Sequence, residues 1–217
     1  HNSARRTVEE TRKWFVDEGH IDPSKPEDVV FLDEIFRMER ANIDAVHALL
    51  RELPARFPKH SFIVRPHPIE RAETWSEFLR DVPRAEMVRD GSVVPWIIAA
   101  DVLVHTNCTT GVEAFALDKP AISLQPAELA IADTYLANLV NYRTKTVAET
   151  LDRGLACSLW SHSVRDVALD APLEVIRKLV VHFRARFRRN ERRLAPALVA
   201  VGFVAHAHFA QLGATVL

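Results

Sequence analysis

With 217 residues the chain suits one large domain, or one domain with an appendage. It is 48% hydrophobic and 26% charged, so it should bury a proper core, and a net charge of −1 argues against a general nucleic-acid binder. Two cysteines, Cys108 and Cys157, exclude a disulfide framework and favour a reducing, cytoplasmic setting. The chain opens on His1 without a basic-then-apolar leader, and it reads as a fragment or processed product.

In chain order, Ser3 and the run from Thr7 predict a capped helix that passes Trp14 and Phe15 and stops at Gly19. Residues 22–26 carry two prolines and form a loop. Val29 to Leu32 is a short apolar run. From Ile35 to Phe57 the spacing of Ile35, Met38, Ile43, Val46, Leu49, Leu50 and Leu53 predicts an amphipathic helix. Pro58 ends it, and Ser61 to Val64 reads as a strand. A second amphipathic helix is expected over 69–81 and a short strand over 86–88. A short helix over 93–100 then leads into a buried strand at 101–105. Residues 106–111 form a hydroxyl-rich turn, 112–117 a helix, and 121–124 a strand. The alternation of strand and helix from 61 to 124 predicts an α/β fold, a Rossmann-like parallel sheet with helices on both faces.

After Leu124 helices are expected over 127–140, 146–154 and 172–189, so the C-terminal region reads as mostly helical. Six arginines crowd residues 184–193, and the stretch from Leu194 to Leu217 contains no Asp, Glu, Lys or Arg. That neutral tail is long enough for a span, but Pro196, His206, His208 and Gln211 interrupt it. A helix packed on the protein, a membrane-surface or partner helix through 184–217, and a true span all stay open. The expected division is an N-terminal helix and loop (1–28), a nucleotide-sugar-binding domain (29–160) and a helical extension with a basic cluster and apolar tail (161–217).

Two polar clusters follow predicted strands, where open α/β sheets bind ligands. The first is Arg65-Pro66-His67-Pro68. Arg offers a planar fork to phosphate, and His donates or titrates near neutrality. His67 is also the one weak candidate for a catalytic group. The second runs from His105 through Asn107, Cys108, Thr109, Thr110 and Gly111 to Glu113. Hydroxyls and backbone amides at a helix start suit an anion, and Gly111 permits close backbone approach. Glu113 can accept from sugar hydroxyls, and Gln125 at the next strand end can line the same crevice. Each cluster also has a plainer reading, as a stiff turn or a helix cap. The Walker loop, the dinucleotide fingerprint, the nucleophile elbow and metal-ligand spacings are all missing from the sequence, so no metal and no cofactor are expected.

R-P-H-P after a strand, followed by D-V-L-V-H-T-N-C-T-T-G-V-E-A-F-A-L-D-K-P, resembles the C-terminal half of GT-B-type glycosyltransferases. The likeness is to bacterial surface-carbohydrate proteins, similar to Kdo transferases of capsule and lipopolysaccharide assembly and to CDP-glycerol polymerases. It covers 30–124. The resemblance implies a CMP-, CDP- or UDP-linked sugar donor, with His67-Pro68 facing its phosphate and Glu113 on a ribose or sugar hydroxyl. It also implies a glycan or lipid-linked acceptor, an acceptor-binding domain ahead of His1, and a cytoplasmic location that could be peripheral at the inner membrane. Cys108 stands where the family's turn usually has serine. An epimerase or CDP-glycerol-type polymerase of the same fold, and a non-catalytic scaffold in a glycan-assembly complex, are the alternatives.

Overall fold

The computed structural model describes residues 8–67, 70–159 and 198–202. The elements run α1 (Val8–Asp17), α2 (Pro26–Arg56), β1 (Ser61–Arg65), α3 (Ala72–Leu79), β2 (Ala85–Met87), α4 (Val94–Ala99), β3 (Ala100–His105), α5 (Thr110–Ala116), β4 (Ala121–Leu124), α6 (Leu136–Leu139), β5 (Tyr142–Thr144), α7 (Val147–Leu159) and β6 (Leu198–Gly202). The predicted alternation from 61 to 124 is present, element for element.

The strands form one six-stranded sheet in the order β2-β1-β6-β3-β4-β5, and every pairing is parallel. A parallel sheet needs both faces covered, and the side chains alternate accordingly. Phe62, Val64, Val102, Val104, Ile122 and Leu124 pack in one buried cluster with Leu49 and Leu53 of α2, Trp75 and Leu79 of α3, and Leu151 of α7. Leu103 and Ala121 pack on the opposite side with Ile97 of α4 and Ala114 of α5. The period-two alternation of the strands therefore divides the helices between two layers.

Four expectations change. Val29 to Leu32 is no separate run, because α2 begins at Pro26 and continues for 31 residues. Proline is tolerated at the first helical position, and the buried positions Leu32, Ile35, Met38, Asn42, Val46 and Leu49 keep helical spacing throughout. The helix expected over 127–140 is broken into a 3-10 turn (Ala130–Thr134) and the four-residue α6. Tyr135 between them is extended, and the Asn138 amide takes the Ala132 carbonyl at 2.7 Å, competing with helical bonding. A strand not expected, β5, follows at once.

The largest correction concerns the neutral tail. Five of its residues form β6, which lies between β1 and β3 and pairs with both. Leu198 to Gly202 is thus neither a tail helix nor a membrane span. Among the described residues no helix is long and apolar enough to cross a membrane. The helix expected over 172–189, the arginine cluster, the Ser3 cap, Pro68, His206 and His208 lie outside the described residues.

Candidate functional site

All strands run the same way, so their carboxyl ends share one edge, with Arg65, Gly202, His105, Leu124 and Thr144 along it. Chain order reverses between β1, which leads outward to β2, and β3, which leads the other way to β4 and β5. That is the switch point of the sheet, and β6 fills its floor. With strands about 4.8 Å apart, the β1 and β3 turns stand about 10 Å from each other across β6.

Arg65 ends β1 but does not offer its fork to the edge. Its guanidinium donates to the carbonyls of Asp90 (3.2 Å), Arg89 (3.4 Å) and Gly91 (2.8 Å). It also lies 5.9 Å from the ring centre of Trp96. Burial lowers its pKa from the ordinary arginine value. Its observed role is to anchor the β2–α4 loop, where Gly91 supplies a left-handed turn (φ 73°). In the neighbouring turn the His67 amide donates to Glu70 Oε2 at 2.8 Å, and the Glu70 amide returns a bond to the His67 carbonyl at 2.8 Å. Glu70, a buried carboxylate, was not singled out in the sequence. It closes this turn as a capping side chain does.

The β3 turn is equally closed. His105 has no exposed surface, and burial lowers its pKa to about 3, so the ring is neutral. Its Nδ1 faces the Cys108 amide at 3.4 Å and its Nε2 faces Asn141 Nδ2 at 3.1 Å. A neutral imidazole has one lone pair and accepts from only one of them. Gly111 sits directly against this ring. A Cβ there would lie 2.4 Å from His105 Nε2 and 2.6 Å from Asn141 Nδ2. The glycine is thus required by packing of α5 on His105, and this is the physical reason for it.

Asn107 adopts a left-handed backbone (φ 55°), which asparagine tolerates better than most residues. Its side chain points inward: Oδ1 accepts from Asn138 at 2.6 Å and Nδ2 lies 3.4 Å from Met38 Sδ. Cys108 is buried, and its sulfur accepts from the Thr110 amide (3.3 Å) and hydroxyl (2.7 Å). The thiol thus satisfies the first amide of α5, while the N-cap residue Thr109 makes no side-chain capping bond. Burial pushes its pKa up to about 11, with the Glu113 and Glu70 carboxylates adding to the rise. Thr109 is exposed. Glu113 is half-buried with its pKa raised by desolvation, and its Oε2 is shielded without a hydrogen-bond partner.

Sequence reasoning missed Asn138 and Asn141. Asn138 links Ser123 (2.7 Å), Asn107 and the Ala132 carbonyl, and Gln125 joins the chain through Ser123 at 2.9 Å. Gln125 also borders an open hollow of about 330 Å³ at the ends of β4 and β5, lined by Glu128, Asp133, Arg143 and Lys145 among others. Of the predicted residues, Gln125 alone lines this hollow. Among the described residues no group of three His, Cys, Asp or Glu is placed to hold a metal ion.

Compared with known proteins, the chain matches no family model, no curated protein and no solved structure.

Proposed function

We propose that the chain is the donor-binding half of a GT-B-type glycosyltransferase, which takes a nucleotide-activated sugar at the carboxyl edge and serves surface-glycan assembly with a separate acceptor domain. The observation that supports this best is topological. The two motif-bearing turns flank the switch point of a parallel sheet, the position at which such sheets bind ligands. The substrate class comes from the sequence resemblance.

The hydrogen bonding redistributes the roles within that reading. Arg65 shapes the border of the site through the 89–91 carbonyls. His105 and Gly111 fix the start of α5. The exposed Thr109 and the half-buried Glu113 are the groups to meet the donor, beside His67. Glu113, half-buried in the first turn of α5, is the carboxylate to accept from a ribose or sugar hydroxyl. A thermal-shift panel of CMP, CDP, UDP and GDP tests this. At about 100 times its dissociation constant the right nucleotide should stabilise the fold by about 2.7 kcal/mol. Glu113→Gln should weaken it. A flat response to all four nucleotides would count against donor binding.

A second reading, a non-catalytic scaffold, is favoured by one observation: two of the three basic groups that the motifs offered, Arg65 and His105, are engaged internally. In either case the chain alone should transfer no sugar. Turnover by the 217-residue protein would contradict that expectation under both readings.

A further inference from the structure

The hollow at the ends of β4 and β5 is separate from the two turns discussed above, and its charges are arranged unequally. The cations rise from the end of the sheet. Arg143 belongs to β5, and its Nε donates to the Asn138 carbonyl at 2.9 Å, which fixes the guanidinium plane. Lys145 follows one residue past the strand. The carboxylates come from the opposing 126–135 segment, which has no regular helix beyond one 3-10 turn. Asp133 accepts from Arg143 at 2.7 Å and Glu128 pairs with Lys145. Both acidic side chains are largely exposed, at 63% and 74%. Ion pairs this exposed hold weakly, because water screens them and long side chains lose freedom in making them.

A small acid entering the hollow would meet a fork already oriented by Asn138 and a lysine beside it. It would displace carboxylates that return to water at little cost. The volume, about 330 Å³, suits a small molecule, and Gln125 and Thr144 are among the residues that line it. We propose that this hollow is a binding site for a small anionic ligand, a phosphate ester or a dicarboxylate, held by Arg143 and Lys145 in exchange for Asp133 and Glu128. Planar guanidinium recognises both acid types through paired N–H donors, and the shared chemistry is a compact, doubly charged oxyanion.

Titration of the ¹⁵N-labelled 217-residue chain with inorganic phosphate and, separately, with malonate tests this and distinguishes the two sources. Amide shifts should cluster at 125–133 and 143–145 for at least one probe. The double substitution Arg143→Gln with Lys145→Gln should weaken that probe by about tenfold or more. Glu128→Gln with Asp133→Asn should tighten it, since the internal competitors are gone, and this second variant keeps every basic group in place. Glu113→Gln should leave it unchanged. Unaltered binding in the Arg143/Lys145 variant, shifts confined to 66–70 and 106–113, or no shifts with either probe would overturn the proposal. None of these outcomes depends on nucleotide binding at the switch point.

Discussion

The turn at 106–111 and the hollow at 125–145 lie on the same edge of one sheet, yet they treat polar side chains in opposite ways. In the turn the polar groups are short and, Thr109 apart, turned inward and bonded: Asn107 to Asn138, Thr110 to Cys108, His105 between Cys108 and Asn141. Around the hollow they are long, charged and exposed, and they pair loosely across open space. Short side chains at a strand end reach only the turn's own backbone and its neighbours, so they build the edge. Long ones reach past it and can meet a ligand. A motif of small polar residues therefore identifies the edge more securely than it identifies which atoms do the binding.

Breaking the inward network should cost most. Asn138→Ala leaves the buried Ser123 hydroxyl without its acceptor and the Asn107 side-chain carbonyl without its donor, and should destabilise by about 3 kcal/mol in urea unfolding. Gly111→Ala forces its methyl into His105 and Asn141, and the overpacking should outweigh the better helix propensity, a net loss of about 2 kcal/mol by the same measurement.

The buried imidazole gives the network a pH signature. The folded pKa of His105 is lowered to about 3, while the unfolded chain titrates near the ordinary histidine value of about 6.5. Between those values the unfolded state binds the proton and the folded state does not. Stability should therefore fall as pH falls from 6.5, by up to about 1.4 kcal/mol per unit. His105→Gln should remove that part of the slope. Glu113, whose folded pKa is raised, works in the opposite sense at lower pH and is common to both proteins. At the hollow the effect should be the smallest: Lys145→Ala should leave the urea midpoint unchanged within error, because it removes one exposed pair.

The sheet was legible where strands were long, apolar and punctuated. Ser61 to Leu124 carried the signal because β1, β3 and β4 are buried on both faces and helical spacing separates them. β5 was hidden because Tyr142-Arg143-Thr144 is three residues long and largely polar. β6 was hidden by its setting, a neutral alanine-rich tail whose composition suggested a helix. The alternating valines Val199 and Val201, ended by Gly202, were the available clue. Within the candidate site, the location of both turns on one edge was readable. The direction of each side chain was not. Arg65 answers to three carbonyls contributed by another loop, and carbonyls leave no mark on residue type. Asn138 and Asn141 answer to partners 15 to 36 residues away in sequence.

The central claim is that the β1 and β3 turns jointly receive a nucleotide's phosphate across β6. Titrating the ¹⁵N-labelled chain with the most stabilising nucleotide of the panel, while following backbone amides, tests it most directly. The account predicts concerted shifts at His67, Glu70 and residues 107–113. Shifts at one turn without the other, or at neither, would contradict it.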